Sequence, residues 1–188
     1  PAAIAATVAL PAAFATCFKS RYDWAYETVP QPHLQQRRLY WPRGKVLGGS
    51  SAINAMIYTR GHPSDYDHWH ALGNPGWRFA EVLPYFKKGE HHEGGASAYH
   101  GVGGPLHVTD LRYTHALSHA FLAAGVECGL RRTDDFNGPD PEGVGWFQVT
   151  QQGGKRHSAA TAYLTPVRHR RNLTIRTHAH VGRVLFER

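Results

Sequence analysis

The pattern of hydrophobic and polar positions along the chain predicts a series of short helices. Apolar residues at helical spacing predict helices over about 12–19, 79–88 and 116–124, and Gly129 is the expected stop of the last. Serines that can cap a helix N-terminus predict three more, over about 50–58, 64–69 and 158–166. The first of these would place Ile53, Met56 and Ile57 on one face.

Other stretches of the chain predict strands and loops. Alternating or β-favouring residues predict strands over 106–108, 144–150, 172–177 and 181–187. Prolines exclude a regular helix from 22–42, so this stretch is expected to run extended across a surface or a ligand. The glycines between Gly89 and Gly104 predict a long loop. Helices and strands alternate, which indicates a mixed α/β or α+β protein.

Composition and charge limit the classes of function that the sequence can support. The formal charge is +7, but the basic residues occur in pairs and triples separated by neutral stretches, which disfavours nucleic-acid binding. A dinucleotide cofactor is another use for positive charge. Cys17 and Cys128 lie far apart without a CxxC motif and are interpreted as buried free thiols. The histidines at His91, His92 and His100 lack fixed metal-ligand spacing and are interpreted as exposed loop residues, so no metal site is predicted.

The first residues resemble a signal peptide only superficially. No Met or basic segment precedes them, and Pro11 interrupts an apolar run that is too short to span a bilayer. We therefore expect no transmembrane segment here, and we interpret the sequence as an internal piece of a longer protein.

The most informative segment is a glycine hinge that runs from Arg43 to Ser51. Paired glycines at Gly48 and Gly49 allow a backbone to approach a flat or phosphorylated ligand, and amides at the start of a following helix favour negative charge. The segment is not a P-loop, because Val46 follows Gly44 and Lys45. Neither a GxGxxG dinucleotide motif nor a GxSxG hydrolase elbow occurs in the chain.

The longer string GKVLGGSSAINAMIYTRG, from Gly44 to Gly61, is followed by DYDHW at 65–69. Together they resemble the first signature of the glucose-methanol-choline (GMC) oxidoreductases. The run DFNGPDPEGVG at 135–145 and the run SAATAYL at 158–164 are similar to the choline dehydrogenase branch of that family.

The resemblance implies FAD as the cofactor, part of a Rossmann-like FAD-binding domain, and the beginning of a substrate domain built on an antiparallel sheet. The implied domain limits are 1–64 for the FAD-binding part, 65–165 for the substrate part, and 166–188 for strands that return to the FAD-binding domain. The implied cofactor-binding residues are Arg43, Gly44, Lys45, Val46, Gly48, Gly49, Ser50, Ser51, Asn54, Ala55, Met56, Ile57 and Val181. Ile53 occupies the position at which some relatives tether flavin through a histidine, so no tether is expected.

The implied activity is oxidation of a small-molecule primary alcohol, choline or another, to an aldehyde by hydride transfer to flavin N5. The electron acceptor, a quinone or O₂, stays open, and so does the alternative of a non-catalytic, truncated flavin-binding remnant. The family's dinucleotide fingerprint is expected before Pro1 and its catalytic histidine after Arg188, so no catalytic residue is assigned. We also expect the chain expressed alone to aggregate or to bind no FAD.

Overall fold

The structure is a computed structural model, and it describes residues 6–187. Four α-helices are present in that range: α1 (Ala6–Ala9), α2 (Pro63–Ala71), α3 (Phe79–Gly89) and α4 (Ala116–Glu127). Tighter 3₁₀ turns cover Pro11–Cys17, Pro32–Leu34, Gly49–Ala52 and Thr165–Val167, and a π-helical turn covers Ala160–Leu164. None of the helices in the described range is long and apolar enough to cross a membrane.

Six short strands form three two-stranded sheets. The strands are β1 (Tyr26–Glu27), β2 (Tyr40–Trp41), β3 (Glu90–His92), β4 (Leu106–Val108), β5 (Gln151–Gln152) and β6 (Lys155–Arg156). Two pairs are antiparallel, β1 with β2 and β5 with β6, whereas β3 runs parallel to β4 with Glu90 opposite Leu106. Helices and small sheets together confirm the predicted mixed class.

The principal core cluster lies beneath the glycine hinge. Val8, Cys17, Ala52 and Ile53 are each at most 2% exposed and pack together, with Phe18, Tyr22 and Val46 against them. The hinge is therefore anchored by apolar contacts with residues from the start of the described chain. Cys17 is a buried free thiol as predicted, but Cys128 is exposed, because it follows the last turn of α4 at the surface.

Several helix predictions are confirmed. α3 and α4 match the periodic patterns, and Gly129 follows α4 with a φ of 89°. Ser158 caps its turn, since its Oγ accepts a hydrogen bond from the Thr161 amide at 3.3 Å. The cap of α2 is His62 and not Ser64: the His62 amide donates to Asp65, and Pro63 occupies the first helical position, where its missing N–H costs nothing.

Five other predictions are wrong. The predicted helix over 50–58 is only the 3₁₀ turn Gly49–Ala52, because the backbone at 56–58 bonds to another segment: Tyr58 N donates to Gln148 O, and Thr150 N donates to Met56 O. The stretch 144–150 forms isolated bridges instead of a strand. The stretches 172–177 and 181–187 are not strands, since no described strand lies beside them to pair with their backbones. The loop predicted over 89–104 contains β3.

Candidate cofactor-binding site

The hinge is held by backbone pairing with the segment before β1. Trp24 N donates to Arg43 O at 2.8 Å, and Lys45 N donates to Tyr22 O at 2.7 Å. Between them, a side chain at Gly44 would place its Cβ 2.1 Å from the carbonyl oxygen of Gly49, so only glycine allows the turn to fold back this closely.

Asp23 anchors this pairing electrostatically. Its buried carboxylate accepts hydrogen bonds from the Tyr40 hydroxyl and from the amides of Lys19, Ala25 and Arg43. Burial alone would raise the pKa of Asp23, but the hydroxyl and the three amides outweigh it and hold the pKa well below its usual range. A charged Asp23 therefore fixes the position at which Arg43 enters the hinge.

The hinge closes as a tight turn. Gly49 N donates to Val46 O at 2.8 Å, and Gly48 and Gly49 both have positive φ angles, 92° and 56°. The amides of Val46, Leu47 and Gly48 meet no acceptor among residues 6–187. The segment that follows is a 3₁₀ turn of four residues, so the expected helix with its N-terminal amides is wrong, and the free amides of the turn are the groups available to an anion.

The segment around β6 supports the turn from behind. Ser51 Oγ donates to Gly48 O at 2.6 Å and accepts from Ala159 N at 2.9 Å. A Cβ on Gly48 would lie 3.2 Å from Ala160, which shows how closely the two segments pack. Arg156, only 5% exposed, donates to Ser51 O at 3.0 Å and to Asn54 Oδ1 at 2.9 Å.

A cleft of about 730 Å³ lies beside the hinge. It is lined by Arg21, Trp24, Gly44, Lys45, Val46, Leu47 and residues 176–180. The Lys45 ammonium sits 4.6 Å from the centre of the Trp24 ring, and the His180 ring lies 4.9 Å from the same ring. Free amides, three cationic side chains (Arg21, Lys45 and Arg176) and an aromatic ring together suit an anionic ligand with a flat heterocycle.

The predicted site residues fall into two groups. Gly44, Lys45 and Val46 line the cleft, while the neighbouring Arg43, Gly48, Gly49, Ser50 and Ser51 complete the same turn. The remaining residues, Asn54, Ala55, Met56, Ile57 and Val181, lie outside the cleft lining. Asn54 and Ala55 are exposed just past the turn, the Met56 side chain is buried, and Val181 is 75% exposed next to the residues that close the cleft.

Sequence reasoning missed Arg21, Trp24 and His180 in the cleft and Asp23 and Arg156 behind it. The antiparallel pairing of 22–24 with 43–45 brings Trp24 to Lys45, and no local pattern reveals that pairing. The one available signal was the cluster of aromatic and charged residues at 21–26, within the stretch expected to lie against a surface or ligand.

A second polar cluster surrounds Glu90, close to Tyr58. Glu90 is fully buried, and its carboxylate accepts from Arg60 Nη2 at 2.6 Å, from His100 Nδ1 at 2.8 Å and from Gly101 N at 2.9 Å. His100 Nε2 is 2.8 Å from Asp135 Oδ2. We name Arg60, Glu90, His100 and Asp135 the buried charge cluster. The prediction that His100 is exposed is wrong, because two carboxylates hold its ring in the interior.

The charges in the buried charge cluster are set by its contacts. Burial would lower the pKa of His100, but hydrogen bonds to Asp135 and Glu90 raise it to about 9. Burial would raise the pKa of Glu90, but His100, the Gly101 amide and Arg60 lower it to about 2. Burial, followed by the charge of Glu90, raises the pKa of nearby Tyr58 to about 12. The cluster therefore holds two cations and two anions at neutral pH.

The turn with free amides beside a cleft is typical of a cofactor-binding segment, and the family described as GMC oxidoreductase matches residues 4–188. The chain belongs to the GMC oxidoreductase family, as the hinge motif predicted.

Three similar proteins illustrate this membership. The chain is 51% identical to the mitochondrial choline dehydrogenase of Mus musculus over 167 residues, 89% of this chain and 28% of that protein. It resembles pyridoxine 4-oxidase from Mesorbium loti with a TM-score of 0.87 and 38% identity, over 94% of this chain and 35% of that one. An FAD-dependent oxidoreductase from Chaetomium thermophilum has a TM-score of 0.70 at 32% identity, over 76% of this chain and 27% of the other.

The chain thus spans about a third or less of these relatives. The family and its solved members indicate FAD as the cofactor. The hinge and its cleft fit FAD, since they offer free amides and cations for a pyrophosphate and an aromatic ring for a heterocycle.

Proposed function

We propose that the chain forms part of the FAD-binding site of an oxidoreductase that converts a primary alcohol to an aldehyde. The observation that carries the proposal is the turn at 46–48, whose amides are free while Val46 and Leu47 line a cleft with Lys45 and Arg21. Such a turn binds a phosphate through its backbone, which makes it independent of side-chain identity.

In this proposal the two ends of the hinge meet different parts of the cofactor. The amides of 46–48, with Lys45, hold the pyrophosphate, and Trp24 and His180 lie against a ring of the nucleotide. Asn54, Ala55, Met56 and Ile57 meet the flavin ring or its ribityl chain, and the backbone of Val181 meets the adenine. Asp23 and the Ser51 hydroxyl keep the hinge in shape.

The chemistry of the bound group is hydride acceptance from the α-carbon of the alcohol. The chain's own residues bind and orient the cofactor, and none of the described ones is assigned the proton transfer. Support for an alcohol comes from the similar choline dehydrogenase and pyridoxine 4-oxidase, each named for a substrate that carries a primary hydroxyl group. The two domain limits, at 64/65 and 165/166, belong to the same proposal.

The first experiment is to purify the full-length protein that contains this chain and record its flavin content. Choline, pyridoxine and a simple primary alcohol are then supplied in parallel with O₂ alone and with an artificial electron acceptor. We expect visible flavin absorption and aldehyde formation with at least one alcohol. A flavin-loaded protein that oxidises no alcohol with either acceptor contradicts the proposed reaction. A protein without flavin contradicts the proposed FAD-binding site.

Two lysine variants test the cleft itself. Lys45 and Lys19 both sit over aromatic rings, at 4.6 Å and 5.0 Å, but only Lys45 lines the cleft. We expect Lys45→Gln to weaken FAD binding by about 2- to 5-fold at low salt and less at high salt, as for an exposed charge contact. Lys19→Gln is the matched control and should leave the Kd unchanged. Equal effects from the two variants would place the cofactor elsewhere.

A further inference from the structure

Arg156 is a buried cation whose contacts are centred on the hinge. Its side chain extends from β6, and its Nη1 donates to Ser51 O at 3.0 Å and to Asn54 Oδ1 at 2.9 Å, while its Nε donates to Val8 O at 2.9 Å. No carboxylate forms a salt bridge with it within residues 6–187. Burying a guanidinium that bonds only to uncharged oxygen atoms costs free energy, so a packing role by itself does not explain Arg156.

The partner that Arg156 orients is the side-chain amide of Asn54. Asn54 Oδ1 accepts from Arg156 Nη1 and also from the Met56 amide at 3.0 Å. Two donors on one atom identify that atom as the oxygen and use both of its acceptor positions. The amide cannot flip without losing both bonds, so its NH₂ group points away from Arg156. Both side-chain hydrogen bonds of Asn54 within residues 6–187 are made by Oδ1, so the NH₂ group has no acceptor there, and Asn54 is exposed.

We infer that Arg156 is a positioning residue: it locks the Asn54 amide so that its NH₂ group donates to an acceptor atom of the flavin ring. This inference rests on the proposed function, which places Asn54 beside that ring. Reduction increases the negative charge of the ring, and a fixed donor stabilises the reduced form more than the oxidised form. Arginine suits this role because one planar group reaches Val8, Ser51 and Asn54 together, whereas the single ammonium of lysine does not.

The test is a double-mutant cycle on the full-length holoenzyme, with the flavin midpoint potential as the readout. The variants are Arg156→Lys, Asn54→Ala and the pair together. We expect each single change to weaken binding of reduced relative to oxidised flavin by about tenfold, the value of one hydrogen bond, which is about 30 mV for a two-electron couple. The double variant should match the single variants, because Arg156 acts through Asn54.

Arg131→Lys is the matched control, because Arg131 also donates to two backbone oxygens, those of Asp140 and Glu142, in a turn outside the cleft lining. Its midpoint potential should equal that of the wild type. Additive shifts in the cycle, or an unchanged potential in Arg156→Lys, would overturn the inference.

Asn54→Asp tests the same idea without touching Arg156. The aspartate keeps an oxygen for Arg156 and Met56 but replaces the NH₂ donor with an acceptor, so the potential should fall further than in Asn54→Ala. An unchanged potential in Asn54→Asp overturns the inference even if the Arg156 variants do not fold. A wild-type protein that binds no flavin would instead refute the proposed function, so the two failures are distinguishable.

Discussion

Replacing Glu90 with glutamine should destabilise the protein far more than the loss of one surface ion pair. Glu90 is fully buried and accepts three hydrogen bonds, from Arg60, His100 and Gly101. The amide of glutamine keeps the size of the side chain but removes its charge. Arg60, whose side chain is 3% exposed, then lacks its carboxylate partner in the interior. Removing one member of a buried pair typically costs about 3–5 kcal/mol, and we expect a loss of that order.

The matched control is Glu93→Gln. Glu93 pairs with Arg112 at 2.7 Å, a distance close to the 2.6 Å between Arg60 and Glu90, but its side chain is 41% exposed. Water screens an exposed pair, so this change should cost at most about 1 kcal/mol. Urea unfolding of the full-length variants, followed by tryptophan fluorescence, gives both free energies of unfolding. Equal losses from Glu90→Gln and Glu93→Gln would refute the argument that burial makes the difference.

Three further outcomes follow from the structure. Because its contacts raise the pKa of His100 to about 9, the folded state holds this proton more tightly than the unfolded state. The stabilisation by protonated His100 is therefore complete below about pH 6.5 and is lost as the pH rises through 9. A pH series of unfolding curves should show this loss in the wild type but not in His100→Gln. Gly49→Ala should weaken FAD binding, measured by fluorescence titration. Gly153→Ala should not, although both glycines have a φ of 56° and no atom within 4 Å of an added Cβ. Equal losses of FAD affinity in the two variants would mean that backbone strain alone is responsible. The chain expressed alone should aggregate or lack FAD, since Val181, Val184, Leu185 and Phe186 are 71–91% exposed, and a soluble, monomeric, yellow preparation would contradict this.

Sequence patterns predicted the elements whose stability is local. α3 and α4 follow their apolar periodicity because helical hydrogen bonds join residues four positions apart, so a short window contains the necessary information. The same reasoning failed for 50–58. Ile53 and Met56 have the spacing of a helix face, but they are buried by contacts with distant residues: Ile53 packs on Val8, and the Met56 carbonyl accepts from Thr150.

The candidate site was predictable to a similar extent. The hinge could be located because glycines at adjacent positions with positive φ leave a sequence signature. Asp23, Glu90 and Arg156 left none, because a polar residue in the interior is recognisable only by the partners that it meets. His100 illustrates this: its neighbours along the chain indicate a loop, and only Glu90 and Asp135 explain its burial.

The bond between Ser51 and Arg156 also bears on the order of events during synthesis. These two residues are 105 positions apart, so the Ser51 carbonyl and the Asn54 side chain cannot bond to Arg156 until the later segment has been synthesised. At typical translation rates that interval is about 5–20 s. During this time the glycine turn lacks the bonds that Arg156 and Ala159 make to it in the folded protein. In the proposed function, the hinge therefore takes its supported, cofactor-binding shape only after β6 has been synthesised.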